Sequence, residues 1–403
     1  MSAKVVKKIK YDLIGGGLPL GCKVKDGKIL PALSAGPSDY SCPIGVKYAA
    51  YIHYSNKICV ITKSALFMAV EGENYKFFSA ADATLPFVIE YKSGAQPASI
   101  AITNNQYYQF RGDSGIIDKT KNNICGGVYK NGRVFAIDVS DRYKLRWSGE
   151  KGIFDWEEKI DGAGWLYTDI ELGEINNLAV FKDDIAVIKQ HGITLINVGG
   201  APEDFKETVT VLTPPIYQNC SVVCGNKLYF YTSNGLYTFN GTAVEKVNID
   251  GVNQLTAGVY AMACGSRLFF AGTHKSLGRG VILVYDTAEK TSYFIDVPTT
   301  AMVSGKYLHA YTQRAAVRLE EGISYTYQSE EFGHFSKRKK TLESIFLDCD
   351  TVVDVTVSTE SGSRLFKGVK GKIHTHTRGA FFKVTVSGTN AEIRQLTASV
   401  EYY

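Results

Sequence analysis

One phrase recurs along this chain: a turn holding Gly, Asn or Asp, often with Lys or Arg, and then apolar and aromatic residues in alternation. It stands as Asn56-Lys57-Ile58-Cys59-Val60, as Asn131-Gly132-Arg133-Val134-Phe135 and as Asp183-Asp184-Ile185-Ala186-Val187. It returns as Gly225-Asn226-Lys227-Leu228-Tyr229-Phe230, as Gly265-Ser266-Arg267-Leu268-Phe269-Phe270 and as Ser304-Gly305-Lys306-Tyr307-Leu308. With Ile58, Val134, Ile185, Leu228, Leu268 and Tyr307 as markers, the gaps are 76, 51, 43, 40 and 39 residues. The first gap is about two periods, and a weaker copy near Ala98 to Thr103, ahead of Gln106-Tyr107-Tyr108, fills it. A period of about 40 is that of one four-stranded propeller blade.

The copies share a sequel. Leu228-Tyr229-Phe230-Tyr231 leads through Asn234-Gly235, a tight hairpin signal, into Leu236-Tyr237-Thr238-Phe239. Gln190-His191-Gly192 before Ile193-Thr194-Leu195-Ile196 repeats the design, and Phe67-Met68-Ala69-Val70 plays the same part in the first copy. These pairs read as the middle hairpin of each blade, and runs such as Cys220-Ser221-Val222-Val223-Cys224 as innermost strands. Blades pack face to face, so their strands are expected to be apolar on both sides. The reading is an all-β fold with a β-propeller of about seven blades over residues 46–333.

Beyond Gly333 the strands shorten their spacing. Ser344-Ile345-Phe346-Leu347-Asp348, Val353 to Ser358, Phe381 to Val386 and Leu396 to Val400 alternate cleanly, and residues 334–403 are expected to form a small C-terminal β-sandwich. Residues 1–45, with their prolines and glycine clusters, are read as an extended N-terminal arm. It carries Leu13, Ile14, Leu18, Leu20, Ile29, Leu30 and Leu33, side chains that gain by burial. The arm either reaches into a neighbouring copy's sheet or groove, the preferred reading, or supplies the closing strand of its own last blade.

Composition narrows the function. Apolar residues at 45% and charged residues at 21% describe a chain that buries a full core, and the 12% aromatic share favours strands. A net charge of +5 over 403 residues is mild and does not indicate a nucleic-acid binder, which would carry a basic stripe or a far higher charge. The dense run Lys337-Arg338-Lys339-Lys340 reads as a solvated turn or a contact for an acidic partner. Cys22, Cys42, Cys59, Cys125, Cys220, Cys224, Cys264 and Cys349 form no Cys-x-x-Cys pair. Cys220 and Cys224 would lie roughly 13 Å apart along a strand, too far to bond. Reduced thiols from a cytoplasm are expected. No apolar run reaches a membrane span of about 20 residues. Leu18-Pro19-Leu20-Gly21-Cys22 hints at a lipoprotein cleavage site, but Asp12 and three consecutive glycines interrupt the apolar stretch, so export is not expected.

Candidate chemistry is sparse. Gly16 and Gly21 followed by Cys22-Lys23 fail as a phosphate loop, because the Lys is displaced by one place and no Ser or Thr follows. His374-Thr375-His376 is half a metal site without a marked third ligand. His53, His191, His274, His309 and His334 fall in different repeats. Asp183-Asp184, Glu157-Glu158 and Glu330-Glu331 are adjacent acids pointing to opposite strand faces, not a glycosidase pair. Arg111-Gly112-Asp113 reads as a turn, and Asn240-Gly241-Thr242 is a sequon only in a secretory context. The expectation is no catalytic residue, no metal and no cofactor.

Two resemblances bear on function. Ser148-Gly149-Glu150-Lys151-Gly152-Ile153-Phe154-Asp155-Trp156 resembles the Ser-x-Asp-x-Gly-x-Thr-Trp box of sialidase propellers, with Glu in place of Asp and Trp one place late. That box is a turn, not an active site. Asn131 to Ala136, Arg146-Trp147-Ser148, Gly173 to Leu178, Phe181 to Lys189 and Gly192-Ile193 are together similar to the propeller-containing virion proteins of tailed bacteriophages, tail-nozzle and packaged-DNA stabilisation proteins among them. Lys337 to Tyr403 is similar to C-terminal β-domains of phage tail proteins. The resemblance implies a non-catalytic virion part, made in the bacterial cytoplasm and assembled as a homo-oligomeric ring with other tail or neck proteins. It implies DNA contact only as a passing channel. The alternatives are a carbohydrate-binding or glycan-hydrolysing propeller and a cellular interaction scaffold. Against the former, Trp147, Trp156 and Trp165 all fall in one repeat.

Overall fold

The computed structural model describes residues 7–36, 40–71, 73–80, 85–93, 96–103, 107–111, 114–118, 123–150, 153–158, 160–313, 315–322, 324–334 and 340–403. Among them there is no α-helix; strands dominate, with four short 3-10 turns. Five separate four-stranded sheets follow in order, each an antiparallel meander. The first runs Val46–Ile52, Lys57–Thr62, Ala65–Val70, Lys76–Ala80; the second Phe87–Ser93, Gln96–Ile102, Tyr107–Arg111, Ser114–Asp118. The third is Ile124–Lys130, Arg133–Asp138, Lys144–Trp147, Gly164–Tyr167, and the fourth Ile175–Phe181, Asp184–Lys189, Gly192–Asn197, Lys206–Leu212. The fifth is Ile216–Cys224, Lys227–Thr232, Gly235–Phe239, Val244–Lys246. Two further meanders, Leu255–Cys264 to Thr291–Ile295 and Ala301–Ser304 to Ala315–Glu321, lie within larger sheets. The first strand of each meander packs on the first strand of the next, and Ala301–Ser304 returns to Val46–Ile52.

The sequence builds this stack through a period of two read on both faces. In Arg133–Asp138, Val134 and Ala136 face the second sheet with Phe87 and Ile100. Phe135 and Ile137, one residue along, face the fourth with Ile185 and Val187. Lys227–Thr232 does the same: Leu228 and Phe230 meet the fourth sheet, Tyr229 and Tyr231 meet Leu268 and Phe270. Second strands are therefore buried throughout, and burial of each such side chain contributes about 1.5–3 kcal/mol. The innermost strands differ from expectation. Leu255–Cys264 is mostly half-buried or exposed, because a first strand has a neighbour on each side but a cavity along its edge. Tight turns join first to second strands; Asn131 (φ 51°) and Gly132 (φ 79°) hold the left-handed backbone that such a hairpin requires.

Five of the six marker residues, from Ile58 to Leu268, are the second residue of a second strand. Tyr307 is not. It stands in the turn before Leu308–Tyr311, exposed, and the equivalent position belongs to His309. The weak copy falls on the second strand Gln96–Ile102.

The N-terminal segment departs most from the extended arm expected over 1–45. Lys7–Asp12 pairs antiparallel with Ile393–Tyr402, Lys7 opposite Tyr402. Leu18–Leu20 lies between Thr291–Ile295 and Tyr325–Gln328, joining the sixth meander to the C-terminal strands as one sheet. Cys22–Lys25 and Lys28–Pro31 form a hairpin against Ile393. Leu33–Ala35 is the fourth strand of the seventh meander, opposite Leu319 to Glu321. Of the seven apolar residues noted there, Leu13, Ile29 and Leu33 are buried. Closure within the chain, the alternative reading, is the arrangement present; the reason is that every one of these strands finds an intrachain partner.

The C-terminal strands form two facing layers. One holds Lys340–Cys349 between Ile393–Tyr402 and Gly371–Gly379; the other holds Tyr325–Gln328, Lys383–Gly388, Val353–Thr359 and Gly362–Val369 in order. Leu342, Ile345, Val355, Val357, Val384, Val386, Leu396 and Val400 fill the space between, with Leu13, Cys22 and Ile29 added from the N-terminal segment. The boundary expected at Gly333 thus falls after, not before, the first strand of this unit, because Tyr325–Gln328 pairs with Lys383–Gly388.

Candidate functional site

The innermost strands enclose a central cavity of about 1030 Å³. Aliphatic and aromatic side chains line most of it, with Asn176, Asn177, Gln218, Asn219 and Gln313 as its amides and Lys47 and Glu90 as its charged residues. Tyr48, Asn176, Asn177, Ser221 and Thr300 in its wall, and further pairs along the same strands, lace one sheet to the next. Val88 N donates to Tyr48 Oη (3.5 Å) between the first and second sheets. Asn177 Nδ2 donates to Ser221 Oγ (2.9 Å) and Asn176 Nδ2 to Ile216 O (2.9 Å), tying fourth to fifth. Tyr217 Oη donates to Thr256 O (2.5 Å), fifth to sixth, and Cys264 Sγ meets Ser304 Oγ (3.3 Å), sixth to seventh. Thr300 Oγ1 donates to Val46 O (2.6 Å), returning to the first.

Among the described residues, the seam between the seventh and first meanders carries one buried acid–imidazole contact that reaches across sheets. Glu71 Oε1 lies 3.1 Å from His309 Nε2, with both side chains nearly sealed. Its two oxygens also accept from Lys306 N and Tyr307 N, each at 2.8 Å. Tyr75 Oη and Tyr311 Oη meet at 2.6 Å nearby. This is a clasp between the first and seventh meanders, and no sequence pattern marked Glu71.

The residues singled out by sequence are dispersed. Ser148 Oγ accepts from Val134 N (3.0 Å), and Arg133 donates to Ser148 O and Asp161 O (2.9 Å each) and to Glu150 (3.3 Å). The segment carrying Glu150, Asp155 and Trp156 is thus a connection held round a buried guanidinium; Lys151 and Gly152 lie outside the described residues. Trp147 and Trp156 are buried, whereas Trp165 is exposed. His374 and His376 lie on the exposed strand Gly371–Gly379 with rings 5.9 Å apart and nearly parallel. Among the described residues no third His, Cys, Asp or Glu joins them into a metal-holding group.

Gly21 N donates to Phe294 O (2.6 Å), and Leu18–Leu20 is a strand, so the glycines there serve sheet pairing, not phosphate. Asp184 accepts from Asn197 (3.0 Å), and Glu331 pairs with His334 (3.5 Å). All eight cysteines are free thiols. Burial pushes Cys125 up to about 11 and Cys59 up to about 12, which removes thiolate chemistry at neutral pH. Of the basic run, Lys340 is buried and donates to Gly333 O and Ala380 O, so it is not a solvated turn; Lys337, Arg338 and Lys339 lie outside the described residues, as do Gly112 and Asp113. No helix among the described residues is long and apolar enough to cross a membrane.

One buried base was missed by sequence reading. Lys189, on a second strand, donates to Thr168 Oγ1 (2.8 Å) and to Asp169 O, 5.6 Å from the Tyr143 ring centre. Burial lowers it to about 8 from 10.5, against the opposing pull of Asp169 and Glu207. With its side chain sealed, it anchors a loop and meets no substrate space. Since the unfolded chain holds this proton more tightly, stability should rise with pH between about 8 and 10.5, by up to about 1.4 kcal/mol per pH unit. Lys189→Met should flatten that rise when urea unfolding is compared at pH 7.5 and pH 10.

No family model matches the chain, and no curated protein matches it. Among solved structures it is similar to the extracellular domain of BT4673 from B. thetaiotaomicron, at 10% identity and a TM-score of 0.51, over 89% of this chain and 58% of that one. The WD40 domain of Neurospora crassa Pan2 matches at 10% identity and a TM-score of 0.47, over 68% of this chain and 89% of that one. The computationally designed Ika8 protein matches at 10% identity and 0.44, over 70% and 98%. At 10% identity the likeness to the first of these is one of fold alone. The chain is an all-β protein of propeller-like architecture.

Proposed function

We propose that this chain is a non-catalytic structural part of a tailed-phage virion, a tail or neck component that assembles as a homo-oligomeric ring in the bacterial cytoplasm. Its propeller has seven blades over residues 46–322, the last completed by Leu33–Ala35, and a C-terminal β-sandwich follows over 324–403. The observation that supports this reading is the central cavity, where Asn176, Asn177, Ser221 and Thr300 are committed to lacing adjacent strands. A scaffold needs that rigidity; an enzyme on the same architecture needs free acids, bases or cations at the cavity mouth. The sequence resemblance supplies the virion context. With the N-terminal strands paired inside the chain, ring contacts fall on outer surfaces, where Trp165 and Tyr167 are exposed with rings 5.2 Å apart.

The test is co-sedimentation. An antibody against the chain should follow intact particles through a density gradient of lysate from an induced lysogen carrying this gene. A chain found only in the soluble fraction overturns the virion reading. In the same preparation, sialoside turnover should stay at background in wild type and in Glu150→Ala, Asp155→Ala, His374→Ala and His376→Ala alike. Turnover that vanishes with one of them favours the hydrolase instead.

A further inference from the structure

The mild net charge of this chain is unevenly placed. Residues 361–391 hold Arg364, Lys367, Lys370, Lys372, Arg378 and Lys383 and no Asp or Glu. The strands that carry most of them, Gly362–Val369 and Gly371–Gly379, each lie at the end of one C-terminal layer. Arg364 donates to Thr375 O (3.2 Å) across the gap between them, so both free edges are on one side of the unit. Lys367, Lys372 and Arg378 are exposed, and none makes an ion pair among the described residues. Like charges gathered in this way raise a local potential that an opposite surface would relieve.

That opposite surface is on the same chain. The connections 148–163 and 198–205, each leading into the outermost strand of its meander, carry seven acids against Lys151 and Lys159. They lie against one another at one end of the third and fourth meanders: Asn131 Nδ2 donates to Val198 O (3.3 Å), and the Trp147 and Phe205 rings are 5.2 Å apart. The turn at Lys182 and Asp183 stands at the same end, where Lys130 Nζ donates to Lys182 O (2.9 Å). Asp155, Glu157, Glu158, Asp183, Glu203 and Asp204 are exposed there, and none makes an ion pair among the described residues. Each surface also exposes an apolar side chain, Leu365 and Ile160, as a contact with a polar rim requires.

Within one copy the two surfaces are kept apart. Gly362–Val369 ends a nine-stranded sheet that begins at Leu255–Cys264, so at about 4.8 Å per strand it lies roughly 40 Å outward from the cavity. It projects from the sixth meander, and the fifth stands between that side and the acidic end. A basic edge alone would suit any polyanion; the matching acids on the same chain select a second copy. We propose that copies join head to tail, the basic edge of Gly362–Val369 and Gly371–Gly379 in one copy seated on the acidic end of the third and fourth meanders of the next. Such a contact between unlike surfaces closes into a ring when its rotation allows, so the inference rests on the ring reading and names its contact.

The experiment is sedimentation velocity on the isolated full-length chain. Wild type should assemble at about 50 mM salt and bind itself at least about tenfold more weakly at about 500 mM, where exposed charges are screened. Two charge-reversed variants are compared with it: Lys367→Glu with Lys372→Glu and Arg378→Glu, and Asp155→Lys with Glu157→Lys, Glu203→Lys and Asp204→Lys. Each alone should sediment as a monomer with its cooperative melting transition retained, since only exposed side chains change. An equimolar mixture should regain assembly, because each reversed edge then meets a reversed face. Recovery on mixing also shows that both variants are folded. Reversed variants that assemble like wild type, or a mixture that stays monomeric, overturn this contact and leave a ring built through another surface. A wild-type chain that is monomeric at low salt overturns contact and ring together, and binding of duplex DNA lost in the Lys367, Lys372 and Arg378 reversal would then assign the edge to nucleic acid. Co-sedimentation with particles decides the virion reading separately.

Discussion

A chain beginning at Gly36 is expected to show no cooperative unfolding transition and to aggregate on expression. Its loss removes the strand opposite Leu319 to Glu321, the plank between the sixth meander and the C-terminal unit, and a strand on Ile393–Tyr402. Leu13, Cys22, Ile29 and Leu33 leave the core with it. At about 1.5–3 kcal/mol for each large apolar side chain, the loss is about 5–10 kcal/mol before any hydrogen bond is counted. Whole domains hold only about 5–15 kcal/mol. Circular dichroism and urea unfolding of the truncated chain give the readout. A truncated chain that stays monomeric and unfolds with the full-length midpoint would show that the segment belongs to a neighbour after all.

Glu71→Ala is expected to cost about 2–3 kcal/mol. The carboxylate accepts from Lys306 N and Tyr307 N and meets the His309 ring, and removing it takes the acceptor from two backbone amides and breaks the contact to the ring. Each sealed orphan costs about 1–3 kcal/mol, reduced here because the two amides lie near water. Glu71→Gln keeps an oxygen and should cost less than half as much. Urea midpoints at constant slope measure both. Equal stability of wild type and Glu71→Ala would remove the clasp from any account of how the first and seventh meanders hold together.

The blades' cores were legible because they are local. Val134 and Phe135 sit side by side in sequence and face opposite sheets, so a run apolar on both faces announces a buried second strand. Asn131-Gly132 announces the hairpin before it by backbone geometry alone. What could not be read is pairing across the length of the chain. Tyr11 Oη meets Tyr402 Oη 391 positions away, and nothing in either neighbourhood encodes the other. Glycines mislead for the same reason. Gly15 to Gly17 suggested a loose arm, yet a Cβ at Gly17 would lie 2.4 Å from Tyr327 Oη, so a bare backbone is needed for close approach. Tyr307 misled because Ser304 still belongs to the first strand and the turn then takes three residues where most of its counterparts take two, so the frame moves by two onto His309.

The antiparallel match of Lys7–Asp12 with Ile393–Tyr402 also sets a clock on biosynthesis. A ribosome adds about 5–20 residues per second, so the earlier strand waits roughly 20–80 s for its mate to be made. Leu33–Ala35 waits nearly as long for Ala315–Glu321. Throughout that interval the middle meanders can stack on one another while Leu13, Ile29 and Leu33 stay uncovered on the nascent chain. The N-terminal strands therefore dock last, onto meanders that have already stacked.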